Sequence, residues 1–180
     1  MLSAAAQPDY AALPMSAQAD RARHLAIVAH TGHFNDKNGE AYILHPTRVA
    51  GHAEQIASAA GLAEADFYLV VAAAWLHDTI EDTPVTASML LALGFPARLV
   101  ELVVLLTFTD DMSREDYYAA LAADPLARLV KLADLADNTD PDRLAALDAF
   151  AQWRLCRKYA KAYAALGAQA PDHVRDMIAA

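Results

Sequence analysis

A single cysteine, Cys156, stands among the 180 residues. It excludes an intrachain disulfide and a cysteine-rich zinc site, and it fits a reducing compartment. β-Branched residues are sparse beside Ala and Leu, and no stretch alternates apolar with polar residues as a half-buried strand does. No run approaches the roughly 20 apolar residues that span a membrane. The opening MLSAAAQPDYAALPM has neither the basic start nor the continuous apolar core of a signal peptide. Positive charge is also short: 14 Lys and Arg against 23 Asp and Glu give a net charge of −9. That balance argues against broad binding to nucleic acid or to an anionic membrane, though a small anionic ligand needs only a local cluster of cations. The expectation is a cytoplasmic protein.

What the chain does have is apolar residues, 56% of the total, dominated by the strong helix formers Ala and Leu. Its length suits one domain that buries roughly two thirds of its unfolded surface. We expect an all-α, single-domain helical bundle of about nine or ten helices over residues 16–180, preceded by an N-terminal arm over 1–15. Ser16 reads as the cap of a helix reaching about Gly32, and HFNDKNGEAYIL as a loop. Pro46 fits the first turn of a helix that stops at Gly61. Helices follow from about Ala63 to Thr79, between Thr86 and Gly94, and from Pro96. SRED at Ser113 resembles a capping box, Asp124-Pro125 and Asp140-Pro141 open two more, and the last run from about Ala146 to Leu166 and beyond Pro171.

Three constellations could carry chemistry. In AAAWLHDTIEDT, residues 72–83, an apolar helix ends in His77, Asp78, Glu81 and Asp82. An isolated His-Asp pair reads as a core histidine beside a helix-end acid. Next to this apolar run, an ionised Asp78 needs a partner or a metal. Glu81 and Asp82 lie four residues on, one turn along if the helix continues; a solvated acidic helix end is the plain alternative. In VKLADLADN, Lys131, Asp134 and Asn138 share one face of an otherwise apolar helix, and a Lys131–Asp134 salt bridge leaves Asn138 unexplained. In YILHP, His45 stands where the polar loop meets a helix start. His30 and His33 have a spacing that could bind metal but lie at a helix end.

Taken in order, His45, His77-Asp78 and Asp134 form H…HD…D, the pattern of HD-domain metal-dependent phosphohydrolases. YI-x-HP, LHDT-x-EDT and VKLAD-x-x-x-N, spread from about His30 to Tyr163, resemble the hydrolase domain of RelA/SpoT-type enzymes and the stand-alone small alarmone hydrolases. The resemblance implies that His45, His77, Asp78 and Asp134 hold a divalent metal, best Mn²⁺, with Fe²⁺ or Zn²⁺ also compatible. It implies Glu81 and Asp82 as general base or water-positioning groups, Asn138 at the ribose or phosphate, and Lys131 in support of the site or the anion. Lys37, Arg48 and Arg143 are candidate phosphate-binding cations. The implied partner is a small anionic nucleotide, with no nucleic acid or membrane; a homo-oligomer is compatible. The implied reaction removes the 3′-pyrophosphate from a (p)ppGpp-type alarmone. Guanine-directed relatives carry an Arg before YI-x-HP, where counting back from His45 places Asp36, so adenine stands beside guanine as the base. The alternatives are a general nucleotide or NADPH phosphatase and, from another class, a non-catalytic nucleotide-sensing or immunity module.

Overall fold

The computed structural model describes residues 10–35 and 39–179. After a 3-10 turn at Tyr10–Ala12, eleven α-helical segments follow: α1 Met15–Ala29, α2 Leu44–Ala59, α3 Glu64–Leu76, α4 Thr79–Asp82, α5 Ala87–Ala92, α6 Ala97–Leu106, α7 Arg114–Ala123, α8 Pro125–Asn138, α9 Pro141–Ala145, α10 Ala149–Ala165 and α11 Asp172–Ala179. Counting the single turn α4 as a continuation of α3 leaves ten, and the all-α expectation holds. The β pairing among the described residues is one antiparallel bridge, Phe34 to Ala41. No described helix is long and apolar enough to cross a membrane.

The apolar run in α3 explains the architecture. Leu69 through Ala74 and Leu76 are all buried, so beyond its exposed first turn this helix must be surrounded. It packs against α1, α2, α6 and α8. Its small residues Ala72, Ala73 and Ala74 let these neighbours approach closely, while Leu99, Leu102, Val103, Val130 and Leu135 fill the layers between them.

Local chemistry sets the helix ends. Thr86, Ser113, Asp124, Asp140 and Asp148 each accept a backbone N–H of the helix they open, worth about 1 kcal/mol apiece. Asp148 takes this role for α10, so that helix starts at Ala149 rather than near Ala146. Ser16 is not a cap: α1 begins at Met15 after an extended Pro14. The start of α2 also lies earlier than the proline suggested. Leu44, His45 and Pro46 form its first turn, where a missing N–H breaks no intrahelical bond. At its end, Gly61 takes φ 65°, a left-handed conformation that suits glycine.

Candidate metal centre

Three helix ends and one helix interior bring the ligand candidates together. His45 is buried in the first turn of α2, His77 closes α3, and Asp134 is buried in α8. The helix does not run on unbroken through IEDT. Asp78, at φ −97° and ψ −1°, separates α3 from α4. Glu81 and Asp82 stand in the turn beyond it, exposed at the rim, with the Asp82 N–H donating to the Asp78 carbonyl at 2.9 Å.

The two imidazoles meet tip to tip, with His77 Nε2 3.3 Å from His45 Nε2. Asp134 Oδ1 lies 3.3 Å from His45 Nε2 and 3.9 Å from His77 Nε2. One ligand atom from each of His45, His77 and Asp134 fits a compact cluster able to hold a metal ion. Asp78 joins from the side, its Oδ2 3.0 Å from His77 Nε2 and 3.4 Å from His45 Nε2. The Tyr42 hydroxyl donates to that same oxygen at 2.6 Å. Burial and the Asp78 charge push the phenol's pKa far upward, so the hydroxyl keeps its proton. Although burial opposes ionisation, the His77 charge and hydrogen bonds from both imidazoles hold Asp78 well below the ordinary carboxylate range.

The outer nitrogens of both rings are already committed. His77 Nδ1 donates to the Ala74 carbonyl at 2.8 Å, and His45 Nδ1 donates to Asp137 Oδ2 at 2.6 Å. Both Nε2 atoms are thereby aimed inward, the orientation that metal-binding imidazoles take from their outer hydrogen bonds. Two imidazole nitrogens with converging carboxylates form an intermediate-to-hard donor set suited to a divalent cation.

Asp137 was not singled out in the sequence, although it follows Asp134 by one helical turn. It is fully buried and accepts from His45 Nδ1, from Arg48 Nε at 2.6 Å, and from Arg143 Nη1. Three donors satisfy a carboxylate that burial would otherwise penalise heavily. Replacing Asp137 by Asn should weaken divalent metal binding about 10–100-fold, the usual effect of losing an outer partner of a ligating histidine. Calorimetric titration checks this; unchanged affinity would mean that another group orients His45.

Lys131 and Asn138 do have a common purpose. Lys131 Nζ pairs with Asp134 Oδ2 at 2.8 Å, and Asn138 Nδ2 donates to Asp134 Oδ1 at 2.5 Å. The polar face of α8 thus fixes both oxygens of one carboxylate. Burial works against the charges of Asp134 and Lys131, but their mutual attraction keeps Asp134 strongly acidic and the lysine charged.

Burial disfavours a charged His45, yet hydrogen bonds and charge from Asp134 and Asp78 outweigh it and raise its pKa from 6.5 to about 9. In the metal-free protein a proton therefore occupies the place between ligands. This raised pKa contributes stability that is fully present below about pH 6.5 and is lost as pH rises through about 9. A cation must displace that proton. Its apparent affinity should rise about tenfold per unit from pH 7 toward 9, with release of about one proton per ion. Titration in buffers of different ionisation enthalpy reads both quantities; a flat pH profile would contradict a protonated His45.

A cavity of about 400 Å³ opens over the cluster, within the range of small-molecule sites. Its floor includes His45, Asp78 and Asp134. Glu81, Asp82, Lys131, Asn138 and Arg143 line it, as do the aromatic rings of Phe34, Tyr42, Phe108, Tyr117, Tyr118 and Tyr159. Glu81 Oε2 accepts the Phe108 backbone N–H at 3.0 Å. Burial raises the Glu81 pKa, helped by the charges of Asp78 and Asp82 and opposed by that N–H. Arg48 lies outside the lining and braces Asp137, with Glu40 2.5 Å from its other arm. Lys37 and Asp36 lie outside the described residues. His30 is buried against Tyr42, ring centroids 4.9 Å apart, and belongs to no ligand cluster found among the described residues.

Comparison with solved structures gives a match to a metazoan ortholog of SpoT, a protein that hydrolyzes ppGpp and plays a role in starvation responses. The TM-score is 0.65 and the identity 20%, over 97% of this chain and 95% of that one; the likeness establishes a shared fold. The family model for the HD domain matches residues 42–142, from Tyr42 beside Asp78, through the α8 face that holds Asp134, to Asp142 in α9. With its ligand cluster inside that span and more than half of its length matched, the chain belongs to the HD domain family.

Proposed function

We propose that this chain is a metal-dependent 3′-pyrophosphohydrolase of (p)ppGpp-type alarmones. The observation that carries the reading is the convergence of His45 and His77 Nε2 on Asp134 and Asp78 beneath a cavity rimmed by Glu81. The fold shared with a protein that hydrolyzes ppGpp supports the substrate class. His45, His77, Asp78 and Asp134 would hold the ion, and the N/O donor set suits Mn²⁺ while accommodating Fe²⁺ or Zn²⁺. A divalent cation in such a site supplies electrophilic activation of a phosphate oxygen and of water.

The chain's own residues supply the rest. Glu81, with its pKa raised by burial, takes a proton from the attacking water. Its backbone partner Phe108 fixes the carboxylate, and Asp82 helps to position the water. Water adds to the phosphorus attached to O3′, the P–O3′ bond breaks, and a proton goes to O3′. The products are a 5′-phosphorylated nucleoside with a free 3′-hydroxyl and pyrophosphate. Lys131, Asn138 and Arg143 face the anion. Aromatic rings around the cavity can stack against either purine, which leaves guanine and adenine alarmones both as substrates.

Product analysis with Mn²⁺ and a panel of ppGpp, ppApp, NADPH and simple nucleotides tests the reading. Pyrophosphate released from a 3′ position supports it. Orthophosphate alone transfers the assignment to a general phosphatase. Tight nucleotide binding without turnover assigns the chain to a sensor.

A further inference from the structure

The outer face of α10 is at odds with the chain's charge. The chain as a whole carries −9, yet AFAQWRLCRKYAKAYAA contains four cations and no carboxylate. Arg154, Arg157, Lys158 and Lys161 are spaced i, i+3, i+4 and i+7, so they share one face and span about 10 Å along the axis. All four are exposed. Arg154, Arg157 and Lys161 make no ion pair with a described carboxylate; Arg157 instead lies 4.6 Å from the Trp153 ring centre. A solvated face of an acidic protein would ordinarily mix both signs.

This ridge is continuous with the metal-bearing cavity. Lys158 lines that cavity and also the groove formed by Trp153, Arg154, Arg157 and Lys161. A second groove beside it is lined by Arg114, Glu115, Tyr118, Lys158 and Lys161. Arg114 is shared with the cavity as well, where its guanidinium stacks over Phe108. Glu115 is the one carboxylate lining either groove.

A polyanion approaching a strongly acidic protein is repelled unless some path offers positive potential. The ridge meets the cavity at Lys158 and extends along the axis about 6 Å to Arg154 on one side and about 4.5 Å to Lys161 on the other, all within roughly one Debye length at physiological salt. We propose that the exposed α10 face formed by Arg154, Arg157, Lys158 and Lys161 is an approach surface that draws a polyanionic nucleotide to the chain and delivers it to the cavity past Lys158. The inference rests on the nucleotide reading above. Its role is to accelerate encounter rather than to hold the bound molecule, because three of its cations lie outside the cavity lining.

Stopped-flow binding of a base-labelled fluorescent nucleoside 3′,5′-bis(diphosphate) to the Mn²⁺-loaded protein tests this on the binding phase that precedes turnover. The triple variant R154Q/R157Q/K161Q should lower kon about threefold to tenfold at about 20 mM salt and leave koff unchanged. The difference should vanish at about 0.5 M salt. The charge-preserving R154K/R157K/K161R should retain the wild-type kon, because steering reads charge and not geometry. Unchanged kon in the neutralised variant overturns the proposal, and so does a raised koff with kon unchanged, which would make the ridge a contact site. A wild-type protein that binds no nucleotide removes the nucleotide reading and this inference with it. Binding with a normal kon in the neutralised variant removes this inference alone.

Discussion

Asp134→Ala protein should bind no divalent ion at concentrations that saturate the wild type, and its fold should be less stable by about 3 kcal/mol. Both effects follow from one carboxylate having two duties. Oδ1 faces the Nε2 atoms of both histidines, and Oδ2 neutralises Lys131 at 2.8 Å. Removing it deletes a ligand, which should cost more than the roughly 100-fold ceiling for outer partners. It also strands the Lys131 ammonium, whose side chain is only 16% exposed, beside an apolar face of α8. Asp134→Asn separates the two duties. Its amide oxygen still accepts from Lys131, so the stability loss should be smaller, while metal binding is lost as completely. Calorimetric metal titration and urea denaturation of the three proteins check this; equal metal affinity in wild type and Asp134→Asn would remove Asp134 from the ligand set.

The second large effect falls on turnover alone. Glu81→Gln should keep metal affinity and fold, and lower kcat about 10²–10⁴-fold, the span expected for a general base. Glu81 sits on the rim in α4, away from the cluster of His45, His77 and Asp134, so its loss leaves that cluster intact. A glutamine can still accept the Phe108 N–H that Glu81 accepts at 3.0 Å, which preserves local geometry and removes only the ability to take a proton. The pKa of this carboxyl is pushed up by burial and neighbouring acids. Activity in the wild type should therefore fall on the acid side as Glu81 becomes protonated, at a pH above the usual range for an exposed glutamate. Metal-saturated steady-state kinetics decide the matter, and an unchanged kcat would remove Glu81 from its assigned role.

Much of this was readable from the chain. The uninterrupted apolar stretch before His77 required a surrounded helix, and α3 is buried from Leu69 through Ala74 and at Leu76. The i, i+3, i+7 spacing of Lys131, Asp134 and Asn138 required a common face, and that face converges on one carboxylate. Capping positions at Thr86, Ser113, Asp124 and Asp140 were legible because their hydrogen bonds are local. What failed to show was non-local or depended on small backbone changes. Asp137 reaches His45 and Arg48 across some ninety positions of sequence, a separation that no helical period encodes. The break at Asp78 separates α3 from α4, and nothing in TIED itself distinguishes that segment from one more turn of α3. Arg48, a candidate phosphate-binding cation in the sequence, lies outside the cavity lining and braces Asp137 behind His45. The stripe on α10 has a plain helical period, but its connection to the cavity through Lys158 required the packing of α7, α8 and α10 together.

The most direct test of a single catalytic ion at this cluster is stoichiometric reloading. Protein stripped with a chelator is titrated with Mn²⁺ while bound metal and 3′-pyrophosphate release from ppGpp and ppApp are measured on the same samples. The expected result is no release at zero metal, a linear rise with occupancy, and a plateau at about one ion per chain that is absent in Asp134→Ala. Pyrophosphate release by the stripped protein at the reloaded rate, or a plateau unchanged in Asp134→Ala, would contradict it.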